Sequence, residues 1–280
     1  MKNRKYVKNL FTYLFLSLYG TATLFPFLWM VVTTFKSEGA IFEIPPKLIP
    51  DKLFKPGMWD NYTEVLLDYN FLLYLWNSTL ISGAASFGQL ITCSMAGFAF
   101  ARMNFFGRGF LFTVLVAMMM IPVEVNIIPE FLMFSKIGWL DSYLPLIVPS
   151  FLVGSFGTFM LKEHYMNVPQ SLEDAAVIDG CKTFQIYRHI FFPLSTAPLA
   201  TIFVIAFMNN WNDLLRPVLY IQSPELRTVS LGLTQFQSLY STDWNLMITG
   251  SVVSILPLII VYLFTQRFII DGMMTSGTKG

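Results

Sequence analysis

The fold is decided by PQSLEDAAVIDGCKTFQIYRHIFFP, Pro169–Pro193, a stretch (the polar segment) that lies between two strongly apolar blocks. Ser171 is placed to cap the start of a helix, with Asp174 three residues later as a weaker capping-box partner. Gly180 is a natural helix stop. A second short helix is predicted to follow it until Pro193 breaks the pattern.

One face of the first predicted helix carries little side-chain bulk. Four residues recur on that face at helical spacing: Leu172, Ala175, Ala176 and Asp179. Because two of the four are alanines, another protein could approach the helix backbone closely. From local physics alone, an ordinary helical loop between membrane spans is an equally good interpretation.

The composition indicates a protein embedded in a lipid bilayer. The chain has 280 residues, of which 55% are apolar and 12% are charged, and its mean hydropathy of +0.58 lies outside the usual soluble range. Cys93, Cys181, His164 and His189 form no disulfide or metal-binding pattern, so no metal site is predicted. The net charge of +1 carries no indication of an acidic partner, and nucleic acid is not expected among the partners.

Six apolar blocks are long enough to cross a bilayer as helices, which takes roughly 20 residues each. They run approximately over residues 10–32, 72–101, 110–131, 144–161, 194–215 and 246–266. The long stretch between the first two blocks, Thr33–Phe71, is rich in Pro, Lys and Asp and is predicted to be a surface loop. We therefore predict an all-α integral membrane protein with six transmembrane helices, in which residues 1–280 form a single transmembrane domain. The first block lacks a cleavage site and is expected to stay as a signal anchor.

The distribution of Lys and Arg predicts the orientation in the membrane. Eleven of these residues lie on the side of the N terminus, and seven are spread over the longer loops of the other side. The positive-inside rule then predicts a multi-pass protein with both termini cytoplasmic. The polar segment falls between the fourth and fifth spans, on the cytoplasmic side.

Small residues are concentrated in the second block, and we interpret them as sites of close helix packing, which small side chains permit in lipid. They are Ser82, Gly83, Ala84, Ala85, Gly88, Ser94, Ala96 and Gly97.

Polar and helix-breaking residues interrupt the third block. Pro122 and Pro129 lie on one helical face and are predicted to kink the helix. Glu124 is costly in hydrocarbon, so its side chain must face the bundle, a cavity or the interface. Glu124 and Asn126 are therefore candidates for lining the outer part of a translocation path. The alternative is that Glu124 already lies near the outer headgroups.

The fifth block ends in a polar run that consists of Asn209, Asn210, Trp211, Asn212 and Asp213. Amides and carboxylates bind sugar hydroxyls, and aromatic faces bind sugar C–H surfaces. This run is a second candidate for the translocation path. The alternative is hydrogen bonding between helices, with Asp213 at the outer interface.

The order and spacing of residues in the polar segment resemble the cytoplasmic EAA loop of ABC importer permeases. The matching positions are Glu173, Asp174, Ala175, Ala176, Asp179, Gly180, Ile190, Pro193 and Leu194. In that family the loop forms coupling helices that dock into a cleft on an ATPase subunit. The resemblance therefore implies ATPase coupling by residues 173–176, 179 and 180. Asp174 stands where the family usually has Glu, and Cys181 where Ala or Ser is common.

The resemblance covers residues 10–280 and is to the carbohydrate-importer permeases of the maltose type, on the side of the smaller six-span subunit. It implies a heterodimer with a second permease, two ATPase subunits and an extracytoplasmic solute-binding protein. ATP and magnesium would be used by the ATPase, because this chain lacks a phosphate-binding Gly-x-x-x-x-Gly-Lys-Ser/Thr run. No cofactor is expected on this chain, and it is not expected to be an enzyme.

The resemblance also implies roles for two loops. The stretch between spans five and six, Gln222–Asn245, corresponds to the loop that reaches into the binding protein, with Gln222, Gln235 and Asn245 as candidate contacts. The tail Phe268–Gly280 corresponds to the tail that approaches the ATPase.

The expected function is import of a sugar or oligosaccharide by alternating access in the inner membrane. The first alternative is a glycerol-3-phosphate or polyol importer permease, to which Pro122–Val125 is similar; Arg216 would be its phosphate ligand. An alternative of another class is a proton-coupled secondary transporter that relays protons through Glu124 or Asp213.

Overall fold

The computed structural model describes residues 2–238 and 240–277, with side chains described for residues 9–238 and 240–268. Regular structure in these ranges is helical, apart from one isolated antiparallel bridge between Gln237 and Thr242. The chain forms two compact units, one of residues 1–72 and 233–255 and the other of residues 73–232 and 256–280.

The longer helices, in chain order, are α1 (Lys2–Thr33), α2 (Phe71–Arg102), α3 (Arg108–Met118), α4 (Ile127–Lys136), α5 (Ser155–Met166), α6 (Gln170–Ile178), α7 (Thr196–Asn212), α8 (Leu215–Tyr220) and α9 (Trp244–Gly277). Short α-helical turns are Glu38–Ile41, Asp60–Thr63, Leu144–Ile147, Thr183–Ile186, Phe192–Leu194 and Val229–Leu233. Single 3-10 turns are Val123–Asn126, Val148–Phe151, Pro224–Leu226 and Thr234–Phe236, and π-helical turns are Glu64–Asp68 and Tyr187–Phe191.

Four helical stretches in the described residues are long and apolar enough to cross a membrane: 9–33, 71–102, 144–166 and 244–268. Two bent pairs also qualify, 108–118 with 123–136 and 183–194 with 196–212, which gives up to six spans. Each predicted block coincides with one of these stretches or pairs. The all-helical, multi-span prediction is therefore confirmed at this level.

The third predicted span is not one helix. Its two parts meet at an angle of 96°, because Pro122 has no N–H to donate to the carbonyl of Met118, the last residue of α3. The chain tightens into a turn there, in which the amide of Ile121 donates to that carbonyl. Pro129 causes no break, since it lies in the first turn of α4, where a missing N–H is tolerated. The predicted kink is thus found at one proline of the two.

A second bend of 78° joins the polar segment to α7. Pro198 cannot donate to the carbonyl of Leu194, so the helix cannot continue through this point. Instead, Nε2 of His164 lies 3.3 Å from that carbonyl oxygen, and the buried hydroxyl of Ser195 donates to the Phe191 carbonyl at 2.6 Å. The second predicted helix therefore runs past Pro193 and ends at Leu194.

Close packing within the unit of residues 73–232 and 256–280 is found at Gly88 and Gly97 of α2, whereas Gly83, for which close packing was also predicted, has open space around it. A Cβ atom on Gly97 would lie 2.8 Å from Leu161 Cβ and 3.1 Å from the backbone nitrogen of Lys162. At this point α2 and α5 are separated by little more than backbone. In the other unit, Gly250 is similarly enclosed by side chains of Leu233 and Phe236.

The last helix is longer than its apolar block. α9 runs to Gly277, so most of the predicted tail Phe268–Gly280 continues the helix. Residues 278–280, like Met1, lie outside the described residues.

Candidate functional site

The start of α6 differs from the sequence prediction. The helix begins at Gln170 with Pro169 as its N-cap, and no side chain caps it. Ser171 is therefore already inside the first turn and cannot act as the cap. Asp174 accepts a long hydrogen bond of 3.4 Å from Gln170 rather than closing a capping box.

The end of α6 has the geometry that Gly180 favours. Gly180 has a φ of +80°, a conformation that costs little only without a Cβ. Its amide donates to Val177 at 3.0 Å, and the amide of Cys181 donates to Ala176 at 2.9 Å. These two bonds form a Schellman motif, which fixes the direction in which the chain leaves the helix.

The predicted small face of α6 is split between the core and the surface. Ala176 is only 6% exposed, whereas Leu172, Ala175 and Asp179 are exposed. The two alanines therefore do not act together as one docking face. The outer surface is instead apolar at the helix end, where Ile178 is 85% exposed.

Ala176 ties α6 to a hydrophobic core that is built from several helices. The buried members are Cys93, Phe98, Leu161, Tyr165, Val168, Ala176, Ile186, Tyr187, Phe191, Leu199 and Ile202. Within it, Ser94 Oγ lies 2.8 Å from Tyr165 Oη and accepts a hydrogen bond of 2.9 Å from Tyr187 Oη. The polar segment is thus packed against α2, α5 and α7 as part of one body.

A cavity of about 240 Å³ lies in the same unit. Its apolar lining comes mainly from the turns before α5, and its polar lining converges from several elements. The polar side chains are Gln89, Ser150, Asn210, Asp213, Arg216 and Thr228. A mixed lining of this kind suits a ligand with both hydroxyl groups and apolar faces.

Arg216 is held between two carboxylates at the edge of this cavity. Its Nε lies 3.4 Å from Oε2 of Glu130, and its Nη1 lies 3.5 Å from Oδ2 of Asp213. Tyr220 donates to the same oxygen of Glu130 at 3.2 Å. Burial, together with that carboxylate, raises the pKa of Tyr220 to about 12. The guanidinium charge is therefore already balanced within the protein.

Only part of the predicted polar run reaches the cavity. Asn210 and Asp213 line it, although the amide of Asn210 also donates to the Ala206 carbonyl. Trp211 is buried and stacks on Phe207 at a centroid distance of 5.6 Å, so it serves packing. Its neighbours Asn209 and Asn212 are exposed.

Glu124 and Asn126 are not brought to the cavity. Both lie in the exposed turn Val123–Asn126 that follows the break at Pro122. The proximity of Glu130 to Arg216 was not predicted, because it joins positions 86 residues apart. Gln89 could have been found as a glutamine inside an apolar block, but Ser150 and Thr228 carry no local signal.

The candidate binding-protein loop is anchored by Asp141, which sequence reasoning missed. Asp141 accepts hydrogen bonds from the amides of Gln222 and Ser223 at 2.9 and 2.8 Å, and from the Ser223 hydroxyl at 2.6 Å. The hydroxyl and the two amides lower the pKa of Asp141 below its ordinary value. Gln222 and Gln235 are exposed. Asn245 was predicted to contact the binding protein, and this prediction is wrong. The residue is 7% exposed, so its side chain is not presented to a partner.

Residues 93–273 match the family described as binding-protein-dependent transport system inner membrane component. The arabinooligosaccharides transport system permease protein AraQ of Bacillus subtilis (strain 168) is 30% identical over 269 residues, covering 95% of this chain and 94% of that protein. The sn-glycerol-3-phosphate transport system permease protein UgpE of Brucella abortus (strain 2308) is 29% identical over 285 residues, covering 99% of each chain.

A solved structure shares the fold. It is described as a crystal structure of a bacterial ABC transporter involved in the import of the acidic polysaccharide alginate. One of its chains has a TM-score of 0.79 and 20% identity, covering 93% of this chain and 96% of that chain. The helical arrangement is therefore similar over nearly the whole length.

Proposed function

Since this chain belongs to the family of binding-protein-dependent transport system inner membrane components, we propose that it is the permease subunit of an ATP-driven importer of a neutral sugar or oligosaccharide. Its partners are a second permease, two ATPase subunits that use ATP and magnesium, and an extracytoplasmic solute-binding protein. Both termini and the polar segment lie on the cytoplasmic side of the inner membrane.

The observation that carries the choice of solute is the pairing of Arg216. A phosphate would need a free guanidinium to form a bidentate contact, but this one is already flanked by Glu130 and Asp213. Binding an anion there would require breaking those ion pairs and would place it beside two carboxylates. Hydroxyl groups, in contrast, can hydrogen-bond to the cavity-lining side chains of Gln89, Asn210 and Asp213 without breaking the ion pairs of Arg216. The cavity therefore favours a neutral saccharide over glycerol 3-phosphate, even though a glycerol-3-phosphate permease is among the similar proteins.

The polar segment supports the ATP-driven class. The exposed end of α6, with Ile178 and the neighbouring Val177, is an apolar surface next to a rigid Gly180 stop. We assign docking on the ATPase to the exposed residues Asp174, Ala175, Asp179 and Gly180, with Ile178 as an additional contact. Glu173 and Ala176, which face inward, hold α6 against the rest of the unit. ATP-driven closure of the ATPase pair would move α6, and alternating access would then pass the solute from the binding protein through the permease pair.

The test is transport by the full importer in proteoliposomes. We expect uptake of a neutral oligosaccharide that requires ATP and loaded binding protein and persists when an ionophore collapses the proton gradient. Uptake that fails with the ionophore would establish the proton-coupled alternative. Uptake of glycerol 3-phosphate in preference to saccharides would refute the argument from Arg216.

A variant pair tests the docking surface. We expect Ile178→Asp to abolish co-purification of the ATPase subunit, because it places a charge in an apolar contact. Ile44→Asp is the matched control, since Ile44 is 92% exposed in the loop between α1 and α2. Equal recovery of the ATPase with both variants would contradict the assignment.

A further inference from the structure

We propose that Arg102, the last residue of α2, is a positioning residue that joins the polar segment to two membrane helices, so that motion of α6 is transmitted to them. The proposal rests on the docking role proposed above for the polar segment. It adds a residue that lies outside that segment and outside the cavity lining.

The side chain of Arg102 is only 10% exposed and reaches three elements at once. One terminal nitrogen, Nη2, donates to the carbonyls of Tyr165, at the end of α5, and of Val168, in the turn that follows. The other, Nη1, donates to Oε1 of Gln170 in the first turn of α6 at 2.7 Å. The guanidinium carbon lies 5.0 Å from the ring centroid of Phe191.

Glu173 completes this arrangement from α6. Its Oε2 lies 3.6 Å from Nη1 of Arg102, and the carboxylate is turned inward with 18% of its side chain exposed. Among the described residues, this oxygen has no hydrogen-bond donor. It is therefore held by the charge of Arg102, and removing that charge would leave a carboxylate buried without a partner.

The geometry requires a guanidinium rather than a positive charge alone. Two nitrogens on a rigid planar fork bond to α5 on one side and α6 on the other. A lysine ammonium is one point on a flexible stem and cannot hold both sets of acceptors in fixed positions. Arg102→Lys thus separates the positioning role from simple charge balance.

The first experiment measures coupling in the reconstituted importer. We expect Arg102→Lys to lower the ratio of ATPase activity with loaded binding protein to activity without it by roughly tenfold, the factor associated with loss of one hydrogen bond to a charged group. Arg108→Lys is the control, because within the described residues Arg108 donates its side-chain hydrogen bonds to nearby positions, Ala101 in the last turn of α2 and Met103 and Asn104 just after it. An unchanged ratio in Arg102→Lys would overturn the proposal.

The second experiment does not depend on transport. Cys181 is partly buried against the core that contains Ala176, and Cys93 is fully buried, so alkylation of the purified importer reports how α6 is seated. We expect faster alkylation of Cys181 in Arg102→Lys and unchanged alkylation in Arg108→Lys. Equal rates in all three proteins would overturn the positioning role.

The two experiments separate this inference from the proposed function. If the wild-type importer shows no stimulation by binding protein, the proposed function fails, and the alkylation of Cys181 still decides the positioning of α6. If Arg102→Lys does not assemble, Gln170→Ala removes one of the bonds of Arg102 and leaves the other contacts in place. In Gln170→Ala, a lower ratio of ATPase activity with loaded binding protein to activity without it, together with faster alkylation of Cys181, would then support the proposal. Wild-type values of both quantities would refute it.

Discussion

The approach of α2 to α5 at Gly97 gives a prediction whose size follows from the structure. A methyl group on Gly97 would lie 2.8 Å from Leu161 Cβ and 3.1 Å from the Lys162 backbone nitrogen. Because one of these neighbours is backbone, a side-chain rotation cannot relieve the overlap, and the two helices must separate. Overpacking of this kind costs about 1–3 kcal/mol. We therefore expect Gly97→Ala to destabilise the protein by that amount.

Gly83→Ala is the matched control, since Gly83 lies in the same helix with open space around its missing Cβ. Alanine there should be neutral or stabilise by about 0.4–1 kcal/mol, because it reduces the freedom of the unfolded chain. The assay is thermal unfolding followed by a thiol-reactive dye in a Cys181→Ser background, where the buried Cys93 becomes reactive only on unfolding. If Gly97→Ala melts at the same temperature as Gly83→Ala, the helices are not in backbone contact as described.

Three further outcomes are expected. The hydrogen bonds that Asp141 accepts stabilise the loop at Gln222 and Ser223 above the unfolded-state pKa of Asp141, and that stabilisation is lost as the pH falls through its lowered folded-state pKa. Limited proteolysis of this loop should therefore become faster at acid pH. Asp141→Asn should reduce that increase in rate, because an amide does not titrate in this range. Glu130→Gln removes one of the two carboxylates that flank Arg216. An anionic solute should then compete roughly tenfold better with the saccharide in uptake assays, the effect of one charged hydrogen bond. Unchanged competition would contradict the argument from the pairing of Arg216. Gly180→Ala should lower the free energy of unfolding by about 1–2 kcal/mol, because a residue with a Cβ is strained at the positive φ of this position. An unchanged melting temperature would show that no such strain is present.

The long helices could be predicted because apolar length is a local property. The second block was placed at residues 72–101, and α2 runs from Phe71 to Arg102. The sequence predicted that the prolines would disturb the third span, but it could not predict which of them interrupts a helix. Pro122 interrupts a helix, whereas Pro129 fits a first turn, and that difference depends on where the new helix starts. A local pattern does not contain that starting point.

The candidate sites were harder because their partners are distant in the chain. Ala175 and Ala176 are identical in type and adjacent in sequence, yet only Ala176 enters the core. The rotation of α6 about its own axis decides which alanine faces the core. It is fixed by the packing of Ala176 and by the ion pair between Arg102 and Glu173. Similarly, Asp213 and Arg216 pair locally, three residues apart, but the pairing of Arg216 with Glu130 depends on the approach of α4 to α8.

The positions of the cavity and the polar segment explain how motion of the polar segment could reach the cavity without a series of side chains that change conformation. α5 begins beside the cavity-lining Gly154 and ends at Tyr165 and Met166, where Arg102 holds it. Its 12 residues span about 18 Å. α2 likewise carries Gln89 at the cavity and Arg102 at its end. Two rigid helices therefore connect both places within one compact unit, so a displacement of α6 that carries their ends would move the cavity lining with it. Coupling through such rigid elements needs only a firm attachment at Arg102.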